Sequence, residues 1–411
     1  MTVLGVTDRN EHVTLFEAAV EIGSLSLHGG SATERVSITA NYMLVGHKHY
    51  DDGPHISRLR FSSALIEHVL RLWASGDFTD IRHRPGGTMP HVSPKPVASY
   101  ADLKRRVRFR LFQPRVPTTT IEPMSSVLVD FLGGTTPKQA MSMLHSLRSL
   151  FALICGDVID LWGVELHAKA GRYIASSDVY FYDPVPRPTS STGFPAVPIL
   201  NISKDRALFR RVMAGWLTEP DRRRTARGIF NAILQDKGIL RPSHLRDLVT
   251  IAEMLADSDG TAPLTTQKFR ALREALIATL DKFATGHADA LDWRDTVKGR
   301  LDNLNYRDTR IILQRLIDAL PESFVALPEA FAGDVVKLRN ALVHDVGRLK
   351  PDDYNKMSFF VAKLKGLYAL NDALALGGRP DQIIPYSQFL RRAELATTNV
   401  FGDESEDGAE G

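Results

Sequence analysis

Apolar and polar positions alternate with a period of two in several stretches of the first half of the chain. In RVSITANYML, Val36, Ile38, Ala40 and Tyr42 alternate with Arg35, Ser37, Thr39 and Asn41, the pattern of a strand with one buried face. RRVRFRLF repeats it, with Val107, Phe109 and Leu111 on one face and Arg106, Arg108 and Arg110 on the other. VIDLWGVELHA and RYIASSDVYFYD read as two further strands. Two helices interrupt this pattern. SSALIEHVLRLWAS sets Leu65, Val69 and Leu72 at helical spacing behind a Ser cap. TPKQAMSMLHSLRSLFALI begins on Pro137, where a helix tolerates proline.

The period then changes. PVPRPTSSTGFPAVP carries five prolines among small polar residues, the composition of a linker. Beyond it, seven stretches follow helical spacing with short connections. They are DRALFRRVMAGWL, RRTARGIFNAILQD, PSHLRDLVTIAEMLAD, TQKFRALREALIATLDKF, YRDTRIILQRLIDAL, a stretch around residues 328–346, and PDDYNKMSFFVAKLKGLYALNDALAL. The expectation is an α+β chain, a β-rich N-terminal domain over 1–183 followed by an all-α helical bundle. A Pro-rich linker covers 184–200, the bundle covers 201–395, and an acidic tail at 396–411 is expected to be disordered.

Composition adds bounds to this outline. A length of 411 residues suits two domains, and 44 % hydrophobic with 24 % charged residues is ordinary for a soluble globular protein. No run of about 18 apolar residues predicts a membrane span, and the N-terminus lacks a signal-peptide layout. The single Cys155 can form no internal disulfide, so a reducing, cytoplasmic setting is expected. The net charge of +3 is unevenly spread. Residues 201–395 hold 31 Lys and Arg against 25 Asp and Glu, whereas the tail holds five acids and no base. A basic second half is compatible with a polyanionic partner without demanding one.

One stretch of the helical half, KLRNALVHDVG, joins an Arg to a His five positions later. On a helix from about Pro328 to Val346, Phe331, Val335, Leu338 and Leu342 form a single apolar stripe. Asn340 and His344 project from the far side as an i,i+4 pair. Arg339 lies at the stripe's edge and meets them only through its long arm. A solvated polar face accounts for these three residues. A functional reading needs, in addition, a second packed surface over Asn340 and His344, such as a dimer interface.

RNALVH resembles the signature of the HEPN superfamily, which is Arg, a polar residue, a short spacer and His. Its surroundings are similar to the ApeA-like branch. DTRIILQRLIDAL precedes the motif helix and DDYNKMSFFVAKLKGLYALNDALAL follows it, while FRRVMAGWL and LRDLVTIAEML resemble the first helices of that domain. VTLFEA, ANYMLVGHKHYDD and RLRFSSALIEHVLRLWA resemble the ApeA amino-terminal domain in the same order. The resemblance implies a metal-independent endoribonuclease that acts as a homodimer in anti-phage, abortive-infection defence. Arg339, Asn340 and His344 would be its catalytic residues, RNA its substrate, and a phage-derived signal its trigger. It implies no cofactor, no metal and no membrane. Where relatives often carry an aromatic after the His, this chain carries Asp345. A non-catalytic HEPN module that binds nucleic acid, a nucleotide or a protein, and the toxin of a toxin–antitoxin pair, are the alternative functions.

Other candidates carry less. His47, His49, Asp51, Asp52 and His55 cluster within nine residues, but a polar loop is the default for such a run, and HExxH and multi-cysteine zinc patterns are absent from the sequence. LGGTTPK lacks the Lys-Ser/Thr ending of a phosphate-binding loop. Arg222, Arg223, Arg224 and Arg227 are possible RNA-backbone contacts, as are Arg106, Arg108 and Arg110. A charged surface row is the more common meaning of either set.

Overall fold

The computed structural model describes residues 1–28, 31–46, 48–50, 53, 55–63, 65–66, 96–112, 126–170, 173–181, 197–236, 240–255, 264–286, 291–301, 308–344 and 351–396. Among them are a nine-stranded sheet, a separate two-stranded sheet and ten helices, a mixed architecture of antiparallel sheet and helix. Contacts divide the chain into two units. One comprises Met1–Pro220, Asn231–Gly238 and Asp372–Arg391; the other comprises Asp221–Phe230, Ile239–Asn371 and Arg392–Gly411.

In the first unit the strands are β1 (Val3–Val6), β2 (His12–Phe16), β3 (Ala19–His28), β4 (Ser31–Thr39), β5 (Tyr42–Gly46), β6 (Ile56–Ser62), β7 (Ala98–Asp102), β8 (Val107–Phe112), β9 (Ser126–Thr135), β10 (Trp162–Ala170) and β11 (Tyr173–Phe181). The large sheet runs β1-β2-β5-β11-β10-β6-β9-β8-β7 with every pairing antiparallel, and β3 pairs with β4 alone. Period-two alternation gives the central strands one buried face, carrying Leu59, Phe61, Val127, Val129, Phe109, Leu111, Leu166 and Ala168. Helix α1 (Pro137–Cys155) covers it, with Phe151 edge-on to Phe61 at 6.4 Å. A capping box starts α1: Thr136 accepts from the Gln139 backbone while the Gln139 side chain accepts from Thr136. Gly156 ends it at φ 82°, a left-handed cap that glycine adopts without strain.

The stretch RVSITANYML, expected as one strand, is two. β4 ends at Thr39 and β5 starts at Tyr42 in the other sheet. The break is fixed by Asn41, whose N–H donates to Phe16 O at 3.2 Å and whose Nδ2 donates to Glu17 at 2.6 Å. Of the helix expected from Ser62 onward, the described part is its start, where the Ile66 N–H donates to Ser63 Oγ at 3.3 Å. The remainder of that helix, and most of the Pro-rich segment, lie outside the described residues. The segment's last residues, Ile199 and Leu200, are fully buried, and Ile199 donates to Ile154 O. Helix α2 (Arg206–Thr218) also belongs to this unit, its Trp216 edge-on to Phe109 at 5.6 Å. The acidic tail from residue 397 lies outside the described residues.

The remaining helices are α3 (Asp221–Gln235), α4 (Pro242–Leu255), α5 (Thr266–Gly286), α6 (Leu291–Leu301), α7 (Thr309–Asp318), α8 (Phe331–His344), α9 (Pro351–Ala375) and α10 (Gln388–Leu395). In the second unit α4, α7 and α8 pack on one another, and Phe230 of α3 lies 4.3 Å from the Tyr368 ring of α9. Helix α6 has only a weak sequence signal. LDWRDTVKGRL is short, with Trp293, Val297 and Leu301 at helical spacing among six charged residues or glycines, and it is tied to α5 by Lys298 Nζ at 2.7 Å from Asp281. Among the described residues no helix is long and apolar enough to cross a membrane.

Candidate functional site

Helix α8 follows its sequence pattern closely. Phe331, Val335, Leu338 and Leu342 are all buried, at 1 %, 0 %, 7 % and 6 % exposure. Phe331 seats between Phe359 and Phe360 of α9, edge-on to both at 6.3 and 5.5 Å, so the stripe is anchored at its first turn by three aromatic rings. The segment leading into the helix is held as well. Lys363 of α9 is fully buried, its Nζ donating to Ala326 O at 2.7 Å and lying over the Phe359 ring at 5.4 Å. Burial lowers the Lys363 pKa, because a charged amine loses its hydration there. Nothing in the spacing of VAKLKGL distinguishes this lysine from a surface one.

The far side of α8 is open, with Asn340 and Val343 both exposed. Arg339, at the stripe's edge, reaches that side by its arm: Nη1 donates to Asn340 Oδ1 at 3.1 Å. A guanidinium has only donors, so the amide atom facing it must be the oxygen. Asn340 is thereby left with its two N–H donors to offer outward. The other end of the Arg339 fork is less settled, since Nε is shielded from solvent and meets no acceptor among the described residues. A buried donor without a partner costs about 1–3 kcal/mol. His344 is the last residue of α8, one turn beyond Asn340. Asp345 lies outside the described residues.

The four arginines of DRRRTAR do not form one row. Arg227 is 2 % exposed, which removes it from the surface. Arg223 donates to Asn371 at 3.3 Å, and Arg224 pairs with Asp221 one turn back at 3.2 Å. Arg222 is half-buried. Helical geometry explains the split: the apolar face of α3 includes Ala226 and Phe230, and Arg227 follows that face.

The strand row also changes. Arg108 and Arg110 project from β8, but Arg106 precedes the strand in a left-handed conformation, φ 54°, with its guanidinium over Gly133. Two arginines that the sequence reading passed over, Arg58 and Arg60 of β6, share the face of Arg108 and Arg110. The alternation in ISRLRFS was the available signal. Asp130 on β9 binds two of them, Arg58 Nε at 2.8 Å and Arg110 Nη2 at 2.7 Å. Glu165 of β10 lies 3.4 Å from Arg60 and 3.2 Å from His167. Desolvation depresses the His167 pKa, and the charges of Arg58 and Arg60 add to this against the opposing pull of Glu165.

Of the histidine-rich cluster, His47, Asp51 and Asp52 lie outside the described residues. His49 packs edge-on to His12 at 4.5 Å, and its Nδ1 lies 3.2 Å from Val13 O. Among the described residues no group of three or more His, Cys, Asp or Glu is arranged to hold a metal ion. Cys155 is buried, and its thiol pKa is raised by desolvation, which makes it a poor nucleophile.

No protein-family model, no curated protein and no solved structure matches this chain.

Proposed function

We propose that this chain is an ApeA-like HEPN protein, a metal-independent endoribonuclease of anti-phage defence. In this proposal a β-rich domain over residues 1–183 regulates an all-α HEPN domain over 201–395. The observation that carries the proposal is the Arg339–Asn340 hydrogen bond at 3.1 Å on the open side of an otherwise buried helix, one turn before His344. It joins a cation to an amide on the open side of α8, and His344 follows one turn later in the sequence. The residue order RNALVH and the order of flanking helices support the same family.

The chemistry follows from the residue types. A ribose 2′-oxygen attacks the adjacent phosphorus as His344 takes its proton; the P–O5′ bond breaks, and the departing 5′-oxygen receives a proton from a general acid. The products are a 2′,3′-cyclic phosphate and a 5′-hydroxyl. An imidazole with an unperturbed pKa near 6.5 serves either proton role near neutrality. Arg339 holds the phosphate and balances its developing charge, and the free N–H donors of Asn340 orient phosphate or imidazole. In a homodimer the two copies of His344 supply base and acid. Because the nucleophile belongs to the substrate, DNA is not cut.

The test is cleavage of total RNA by wild type and His344→Ala in the presence of EDTA, with the new ends identified. Cyclic phosphate ends that vanish in the variant support the proposal. Equal cleavage by both removes His344 from the mechanism. Killing of cells by expression alone would favour a toxin kept silent by a partner.

A further inference from the structure

The register of the large sheet places four arginines and one histidine on a grid. Across β10, β6, β9 and β8, one row reads His167, Arg58, Asp130, Arg108; the next reads Glu165, Arg60, Leu128, Arg110. All eight positions share the face opposite the core, because the residues between them, Leu59, Val129, Phe109 and Leu166, are the buried ones. Four guanidinium groups on this grid meet two carboxylates, and Asp178 of β11, directly beside Glu165, is a third on the same face, so one positive charge stays uncancelled. Like charges on neighbouring strands disfavour a sheet, and Asp130 relieves this for Arg58 and Arg110 only.

The uncancelled charge is located. Arg108 is exposed and makes no ion pair among the described residues. Arg110 Nε is shielded and meets no acceptor there. Arg60 has a single carboxylate contact, at the long distance of 3.4 Å. From Arg60 to Arg108 is two strand spacings and one two-residue step along the strand, about 12 Å, wider than one phosphate group. Beyond Arg108 the β7–β8 turn adds the exposed Lys104, while the neighbouring Arg105 is paired with Asp102 at 3.0 Å. Donors spread over this length fit successive phosphates of a polymer better than one small anion. No aromatic stands on the grid positions, and the exposed Tyr180 lies one strand beyond them on β11, so contact on the grid itself is with the backbone.

We propose that this face of the sheet is a binding surface for the phosphate backbone of single-stranded RNA, with Arg60 and Arg108 as its contacting groups and Arg58 and Arg110 set in place by Asp130. The choice of RNA rests on the function proposed above. The readout that tests it is binding, so the surface and the nuclease chemistry stand or fall separately.

The experiment measures binding of a fluorescent single-stranded 2′-O-methyl RNA, which offers no free 2′-hydroxyl for cleavage, to the full chain over a range of KCl concentrations. Each phosphate contact to a single strand contributes about 0.7 to the slope of log K against log salt. Arg60→Gln with Arg108→Gln lowers that slope by roughly 1.4, and Arg60→Lys with Arg108→Lys restores most of it. Lys268→Gln with Arg270→Gln, an equal loss of charge on the exposed side of α5, leaves the slope unchanged. The proposal is overturned if the Gln pair leaves the slope intact, if the α5 pair lowers it equally, or if the Lys pair fails to restore it while thermal unfolding matches wild type.

Discussion

The arginines of the large sheet and the one arginine of α8 differ in what holds them. On the sheet, Arg58 and Arg110 close on the Asp130 carboxylate at 2.8 and 2.7 Å, with Asp130 only 13 % exposed. On α8, Arg339 has a neutral amide for a partner at 3.1 Å and an Nε with no acceptor among the described residues. A guanidinium satisfied by a carboxylate braces the fold, and an incoming phosphate must displace that carboxylate to use it. A guanidinium held by an amide keeps its full charge for a ligand. The sheet thus separates its roles among four arginines, two bracing and two available. The helix leaves its one arginine available.

The contrast can be broken most sharply at Arg339. Arg339→Ala is expected to lower RNA cleavage by about 10²–10³-fold, the usual cost of removing one transition-state donor, and not to destabilise the fold, because it also removes a shielded Nε that has no acceptor among the described residues. Loss of stability matching the loss of cleavage would make Arg339 a structural residue. Next comes the support beneath it: Phe331→Ala opens a cavity among three rings and costs about 3–5 kcal/mol in chemical denaturation. On the sheet the order reverses. Asp130→Asn removes the brace, costing about 2 kcal/mol for charge-assisted bonds at a partly exposed site, and it strengthens RNA binding by adding one net positive charge.

The smallest effect is a pH dependence. His167 has a depressed pKa in the folded chain, so the unfolded chain binds its proton more readily. The stability contributed by neutral His167 is therefore complete above the unfolded value near 6.5 and declines as pH falls from there toward the lower folded pKa. Thermal unfolding of wild type is expected to lose more between about pH 7 and pH 5 than that of His167→Gln. Parallel curves for the two would remove His167 from this dependence.

Periodicity made much of this fold legible. The α8 stripe, the β8 alternation and the Pro137 helix start stand in the structure where the spacing placed them, because each depends on nearby residues alone. The division of RVSITANYML between two sheets was not legible, since it depends on Asn41 bonding back to Phe16 and Glu17, some 24 residues away. Helix α6 escaped because its run of Trp293, Val297 and Leu301 is short and set among charged residues. For the candidate site, the spacing set out Arg339, Asn340 and His344 on one helix, but not the arm of Arg339 folding onto Asn340. Strand register is what brings Arg58 and Arg60 beside Arg108 and Arg110, and no local pattern carries register between strands distant in sequence. Arg227 looked like its neighbours in sequence and is buried, because one step around a helix exchanges solvent for core.

The most direct test uses an RNA oligonucleotide that the wild-type chain cleaves at a defined bond, compared with the same oligonucleotide carrying a single 2′-deoxy sugar just 5′ of that bond, both in EDTA. The expected result is a 2′,3′-cyclic phosphate and a 5′-hydroxyl from the first, and no cleavage at that bond in the second. Cleavage of the deoxy-substituted bond, or 5′-phosphate ends from the unmodified RNA, would show that water is the nucleophile and would contradict the role assigned to Arg339, Asn340 and His344.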